Sequence, residues 1–118
     1  MERKNKVNIL GVKYSIHYQT EAENKNLKEI GGYCDPSVRK ICIRDFSREP
    51  AEDGQLERLD YVIRQSLRHE IVHAFFFESG LGFNASKVDH WSTNEEMVDW
   101  IALQGPRIFE AFRKCDCL

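Results

Sequence analysis

The sequence predicts an α+β fold, and three observations predict it. Short stretches of alternating apolar residues fill the first half of the 118-residue chain, which is typical of strands. Two long stretches with helical spacing fill the second half. No repeat or low-complexity tract divides the chain, so we expect a single domain over residues 1–118. This order favours a small antiparallel sheet of about three strands packed against a long helix.

Three stretches in the first half have the period of a strand. Residues 7–18 alternate after Gly11, which puts four side chains on one face: Val12, Tyr14, Ile16 and Tyr18. Residues 33–35 form a short extended piece, and residues 40–44 (KICIR) form the third strand. Residues 21–30, between the first two, are expected to form a short helix or a polar loop.

The second half predicts two long helices and a shorter one. Residues 56–79 form the first helix, with Asp53 as its N-cap and Gly80 in the left-handed position that closes it. The second helix begins near residues 92–93 and ends near Gly105-Pro106, because proline cannot continue the hydrogen-bond ladder. Pro106 then begins the last helix, which directs three apolar side chains inward: Ile108, Phe109 and Phe112.

Composition and charge argue against two classes of partner. The net charge of −2 gives no basic surface for phosphate groups, so we expect no nucleic-acid partner. No stretch approaches the roughly 20 apolar residues that span a bilayer, and no signal peptide is evident. We therefore expect no membrane partner and a cytoplasmic location. In that reducing compartment the four cysteines should be free thiols: Cys34, Cys42, Cys115 and Cys117.

The strongest functional signal is the motif HEIVH at residues 69–73, inside the first predicted helix. His69 and His73 are four residues apart and so lie on one face, where both imidazoles can bind one metal ion. Neutral imidazole is a good zinc ligand. Glu70 is offset around the helix, where it can act as general base on a water that zinc acidifies. The opposing interpretation is a pair of surface histidines beside a glutamate, and the helical context favours the metal site.

Two histidines do not complete a hydrolytic zinc site, which usually has three protein ligands. The downstream candidates are Glu95, Glu96 and His90. A capping box of Thr93 and Glu96 would turn Glu96 back onto the helix start and leave Glu95 free to bind the metal. A box of Ser92 and Glu95 is equally possible and would move the ligand to Glu96 or His90. We favour Glu95 as the third ligand.

Two further residues could assist the site. Asp99 lies one helical turn after Glu95 and can accept a hydrogen bond from a ligand histidine, which would fix the tautomer of that ring. His90 has three interpretations: a third metal ligand, a donor that stabilises the oxyanion during carbonyl attack, or a solvent-exposed loop residue.

Aromatic residues are frequent near the motif. Three consecutive aromatics on a helix point in different directions, which favours packing over a substrate pocket. We therefore predict structural roles for Tyr33, Tyr61, Phe75, Phe76, Phe77, Trp91 and Trp100.

These motifs resemble a known group of enzymes. HEIVH followed by EEMVDWIA is similar to zincin-type peptidases whose third ligand is a glutamate on the next helix. The second segment resembles the Glu-x-x-Ala-Asn-x-Phe-Ala pattern of the ImmA/IrrE metallopeptidases, with Val98 and Asp99 in place of Ala and Asn. Asn94, Glu95 and Asp99 also resemble the Asn-Glu-x-x-x-Asp pattern of thermolysin-like enzymes. Residues 32–35 (GYCD) look like those of small metallopeptidase-like proteins from phages and mobile elements.

The resemblance implies a minimal zincin core, in which a small sheet lies against the HExxH helix and a glutamate-bearing helix follows. It places the third ligand on Glu95. It also implies an edge strand that binds an extended peptide. The substrate would be a regulatory protein of a phage or mobile element, cleaved in the cytoplasm.

Motif and resemblance together predict a zinc-dependent endopeptidase. The peptide or protein substrate would add as a strand to an exposed sheet edge, near Tyr33 or residues 40–44. The alternative is a non-catalytic zinc-binding protein with a structural or interaction role. The residues that would carry the reaction are His69, His73 and Glu95 as zinc ligands and Glu70 as the base.

Overall fold

The computed structural model describes residues 3–51, 54, 57–80 and 94–117. The first half forms four strands: β1 (Lys6–Ile9), β2 (Val12–Gln19), β3 (Gly32–Asp35) and β4 (Lys40–Arg44). The described part of the second half forms two helices: α1 (Leu59–Glu78) and α2 (Glu95–Lys114). Single 3-10 turns follow β2 and β4, at Lys25–Leu27 and Phe46–Arg48. The predicted α+β class is confirmed.

The sheet has four strands in the order β1-β2-β4-β3, so the expected count of about three strands is wrong. A turn divides residues 7–18, since Leu10 and Gly11 both have positive φ (51° and 88°) and join β1 to β2 as a hairpin. The alternating residues on both sides of this turn conceal it in the sequence.

The sheet is mixed rather than antiparallel. The pairs β1–β2 and β3–β4 are antiparallel, but β2 and β4 run parallel. Since β4 lies between β2 and β3, residues 40–44 are not an edge, and that expectation is wrong. The strand that carries Tyr33, β3, is an edge strand.

The core lies between one face of the sheet and α1. It consists of seven buried residues: Ile9, Tyr14, Ile16, Ile41, Ile43, Ile63 and Ala74. The Tyr14 hydroxyl donates a hydrogen bond to Glu78 Oε1 at 2.7 Å, which fixes the last turn of α1 against β2. The sheet therefore determines the position of the whole motif helix.

The ends of α1 differ slightly from the prediction. The helix begins at Leu59 rather than residue 56, and its N-cap, Arg58, makes no side-chain capping bond. The predicted cap Asp53 lies outside the described residues. Gly80 has φ of 81°, which confirms it as the left-handed residue after the helix.

The prediction that α2 ends near Gly105-Pro106 is wrong, because one helix continues through Pro106 to Lys114. No separate last helix begins there. Phe109 and Phe112 are 56% and 41% exposed, so they do not face inward as expected. Because α2 continues in one direction instead of turning back, these side chains do not reach the core. Within the described residues, neither helix has the length and apolarity to cross a bilayer.

A buried carboxylate joins the N-terminal residues to the end of β4. Asp45 is fully buried and binds Arg3 through Oδ2 at 2.6 Å and Arg48 through the same oxygen at 3.1 Å. Ser47 donates to Oδ1 through its backbone N–H and its hydroxyl. Burial works to raise the pKa of Asp45, but these hydrogen bonds outweigh it and hold the pKa well below its usual range.

We predict that Asp45→Asn lowers the free energy of unfolding at pH 7 by about 2 kcal/mol, because hydrogen bonds to a charged group are lost. The pKa of Asp45 in the folded state lies below the unfolded value of about 3.9. Its stabilisation is therefore complete above that pH and is lost as the pH falls further. Urea unfolding at several pH values measures both effects, with Asp116→Asn as the exposed control. An equal loss in the two variants would contradict the role of Asp45.

Candidate metal centre

The middle of α1 carries the two histidines of the motif on one side, as its helical spacing predicts. The Nε2 atoms of His69 and His73 lie 3.2 Å apart, and the ring centroids are 4.9 Å apart. Each side chain is only partly exposed, at 16% and 22%. The two imidazoles therefore present adjacent nitrogen atoms to a common point beside the helix.

The first residue of α2 meets these nitrogen atoms. Glu95 Oε2 lies 2.7 Å from His69 Nε2, and Glu95 Oε1 lies 3.1 Å from His73 Nε2. The two residues that make the shorter contact are 26 positions apart in the chain. The structure thus brings together the three side chains that the sequence suggests as metal ligands.

The start of α2 explains why Glu95 is free to make these contacts. Asn94 is the N-cap, and its Oδ1 accepts a hydrogen bond from Met97 N at 3.0 Å. The observed N-cap is therefore Asn94 rather than the predicted Ser92 or Thr93, and Asn is as strong an N-cap as either. Those two residues and His90 lie outside the described residues. Glu96 is exposed at the next position of the helix.

Asp99 lies one turn further along α2, where the sequence places it. Its Oδ1 lies 2.7 Å from His69 Nδ1. When Nδ1–H donates to this carboxylate, the lone pair of His69 Nε2 is directed at the point shared with His73 and Glu95. Burial works to lower the pKa of His69, but Asp99, Glu70 and Glu95 together raise it above its ordinary value.

Packing between the two helices holds this arrangement. Val98 and Ala102 are buried on the side of α2 that continues from Glu95, at three- and four-residue intervals. Arg68 Nε, next to the first motif histidine, donates to the carbonyl of Ala102 at 2.9 Å. The contact fixes the start of α2 beside the middle of α1.

Glu70 is offset from the histidines around α1 and packs beside Gly32, but its carboxylate still lies within 4.8 Å of the imidazole nitrogens. It is 6% exposed, and its position continues the buried stripe of Ile63 and Ala74. Burial is the main cause that raises the pKa of Glu70 to about 7. The carboxylates of Glu95 and Asp99 add to this effect, and His69 opposes it. A carboxyl group in this state can exchange a proton near neutral pH.

Two glycines let β3 approach Glu70 closely. A Cβ atom at Gly32 would lie 2.8 Å from the carbonyl oxygen of Cys42 and 3.5 Å from Glu70 Cγ. A Cβ atom at Gly31 would lie 2.8 Å from Ser66 Oγ. The sequence shows this pair only as adjacent glycines, and their role follows from the distance between β3 and α1.

An open cleft runs between α1 and the segment that leads into β3, with the histidines in its wall. Four aromatic residues line it: Tyr33, Tyr61, Phe76 and Phe77. The prediction of purely structural roles for these residues is therefore incomplete. Phe75 and Trp100 are 39% and 57% exposed and do not belong to the buried core. Trp91 lies outside the described residues.

Comparisons of the chain with models of known protein families, with curated proteins and with solved structures found no match. The resemblance to ImmA/IrrE metallopeptidases consequently depends on the motif residues alone.

All four cysteines are free thiols. Cys42 is buried in β4, while Cys115 and Cys117 are exposed at the end of α2. Cys34 lines the cleft, and burial raises the pKa of its thiol to about 12. Among the described residues, the group that could hold a metal ion is formed around the motif, where potential ligand atoms of His69, Glu70 and His73 lie within 4.8 Å of one another.

We predict that His69→Ala and His73→Ala each abolish retention of zinc, because the remaining side chains cannot form a three-ligand site. Asp99→Ala should weaken zinc affinity about 10-fold to 100-fold, since it removes the partner that orients His69. The measurement is metal content after dialysis, with a chelator competition for the affinity.

The matched control is His17→Ala, since His17 lies on β2 and contacts Ser15 Oγ at 3.0 Å. This variant should retain zinc like the unaltered chain. Equal zinc retention in all three histidine variants would contradict the site.

Proposed function

We propose that this chain is a zinc-dependent endopeptidase, in which His69, His73 and Glu95 bind the metal and Glu70 is the general base. One observation carries the proposal. Three ligand atoms from two helices converge: Glu95 Oε2 lies 2.7 Å from His69 Nε2 and 3.4 Å from His73 Nε2, and the two nitrogens lie 3.2 Å apart.

Two of these separations, 3.2 and 3.4 Å, fit a zinc ion, while the 2.7 Å contact is a hydrogen-bond distance that would lengthen when the metal binds. In a tetrahedral site with bonds of about 2.0–2.1 Å, neighbouring ligand atoms are about 3.3 Å apart. Two imidazoles and a carboxylate are a donor set that zinc accepts and that leaves a fourth position open. Glu95 suits the ligand role better than Glu70, because Glu95 contacts both imidazole Nε2 atoms at 2.7 and 3.1 Å, whereas the Glu70 carboxylate comes only within 4.8 Å of the imidazole nitrogens.

The bound ion would supply Lewis-acid polarisation of the peptide carbonyl and would acidify the attacking water. Glu70 would accept the proton of that water and later deliver it to the leaving amine. Its burial and its raised pKa make both transfers feasible near neutral pH. Asp99 would hold His69 in the required tautomer through the 2.7 Å contact.

The outer edge of β3, which has no strand partner among the described residues, is the proposed binding surface for the peptide backbone. Gly31 O accepts a hydrogen bond from Arg44 N, so these two residues form a hydrogen-bonded pair of the antiparallel β3–β4 ladder. Hydrogen-bonded and non-hydrogen-bonded pairs alternate along such a ladder. The backbone groups of Gly32 and Cys34 are consequently directed away from β4, where an extended peptide can pair with them. Gly32 adjoins Glu70, which would bring a bound peptide close to the base.

The proposed setting is the cytoplasm, and the proposed substrate is a regulatory protein of a phage or mobile element. The free state of all four cysteines suits a reducing compartment. The choice of a regulatory protein follows only from the resemblance of the HEIVH and EEMVDWIA segments to ImmA/IrrE peptidases.

Glu70→Gln tests the mechanism. We expect the rate of peptide hydrolysis to fall about 100-fold to 10,000-fold, because the amide that replaces the Glu70 carboxylate cannot accept the proton of the attacking water. Zinc content should not change. Hydrolysis of unfolded casein and metal analysis measure the two quantities, and Glu110→Gln, at the far end of α2, is the matched control.

Hydrolysis that survives in Glu70→Gln would contradict the proposed role of the base. Loss of zinc from this variant would make Glu70 a metal ligand instead. Zinc binding by an unaltered chain that hydrolyses no peptide would favour the alternative of a non-catalytic zinc-binding protein.

A further inference from the structure

We propose that the cleft selects an extended peptide segment with large apolar side chains on both sides of the bond next to the metal. This inference rests on the proposed function for the identity of that bond. The observation behind it is the distribution of apolar and charged residues along the cleft, which differs between its ends and its centre.

One wall of the cleft is a continuous side of α1. It runs from Tyr61 through His69 and His73 to Phe77. At 1.5 Å per residue, Tyr61 lies about 12 Å before His69, and Phe77 lies about 6 Å after His73. An extended peptide advances about 3.3 Å per residue, so these aromatics lie roughly two to four peptide residues from the metal centre.

The opposite wall adds apolar surface. Ile30 and Pro36 lie at the two ends of the segment that contains β3, and both line the cleft. Ile30 is 41% exposed and Tyr61 is 45% exposed, so both present apolar surface to solvent. A peptide side chain that covers such surface is favoured in proportion to the apolar area removed from water.

The charges of the described lining residues disfavour two competing specificities. The charged side chains among the described lining residues are the carboxylates Glu70, Glu95 and Asp99, together with the two histidines. None of the described lining residues is Lys or Arg. A carboxypeptidase would use such a residue to bind the terminal carboxylate of its substrate, and a peptide with acidic side chains would need one as an ion-pair partner. Glu95 and Asp99 contact the histidines, which leaves neutral, largely apolar surface on both sides of the centre.

The test uses two labelled peptides of about eight residues, the length that the cleft accommodates. One has Leu and Phe at positions roughly two to four residues from the central bond on each side, and the other has Ser and Gln at those positions. Binding is measured by fluorescence anisotropy on zinc-loaded Glu70→Gln protein, in which the peptide stays intact. We expect the apolar peptide to bind at least about tenfold more tightly. Equal binding, or tighter binding of the polar peptide, would overturn the inference.

Surface variants locate the effect. Tyr61→Ser should reduce the preference for the apolar peptide by roughly threefold to tenfold, while Tyr61→Phe should keep it because the ring remains. Phe75→Ser is the matched control, since Phe75 is exposed on the same helix but does not line the cleft. If Tyr61→Ser and Phe75→Ser reduce the preference for the apolar peptide equally, Tyr61 is not part of the surface that binds the peptide.

Hydrolysis of the same two peptides by the unaltered chain separates this inference from the proposed function. Tighter binding of the apolar peptide without its cleavage would refute the peptidase and keep the specificity. Cleavage of both peptides at equal kcat/KM would keep the peptidase and refute the specificity.

Discussion

The contact between the start of α2 and the middle of α1 brings together the three side chains of the candidate metal centre. The motif histidines lie on one helix and need nothing else to be adjacent, but the third side chain comes from 26 positions away. Burial of Val98 and Ala102 and the bond from Arg68 to the carbonyl of Ala102 hold that distant residue in place. Helix packing, an ordinary stabilising interaction, therefore assembles the ligand set.

The sheet has a second influence on the same centre. By packing α1 against β3, it removes Glu70 from water and raises the pKa of that carboxyl group to about 7. Burial of this carboxyl group disfavours its charged form, which weakens folding, and His69 opposes the effect only in part. Gly31 permits the close approach to α1, because a Cβ atom there would lie 2.8 Å from Ser66 Oγ, and Gly32 permits the close pairing with β4. Core packing and acid–base chemistry thus depend on one interface.

The sequence predicts those parts of the molecule that depend on local spacing. The HEIVH helix, the α+β class and the left-handed Gly80 follow from periodicity and turn chemistry, and the spacing of Glu95 and Asp99 indicates their common face. The parallel pairing of β2 with β4 depends on how distant strands meet, which no local pattern encodes. The hairpin at Leu10-Gly11 is concealed because apolar alternation continues on both sides. Proline usually ends a helix, but α2 continues through Pro106, and the carbonyl of Ala102, which Pro106 leaves without its helical N–H donor, accepts a hydrogen bond from Arg68 Nε.

X-ray absorption at the zinc edge of the loaded protein tests the central claim most directly, because it measures the ligands of the ion itself. The account predicts two imidazole nitrogens and a carboxylate oxygen at about 2.0–2.2 Å, with the oxygen contribution altered in Glu95→Ala. A sulfur shell at about 2.3 Å, which would assign the ion to the cysteines, would contradict it. A spectrum that Glu95→Ala leaves unchanged would contradict it equally.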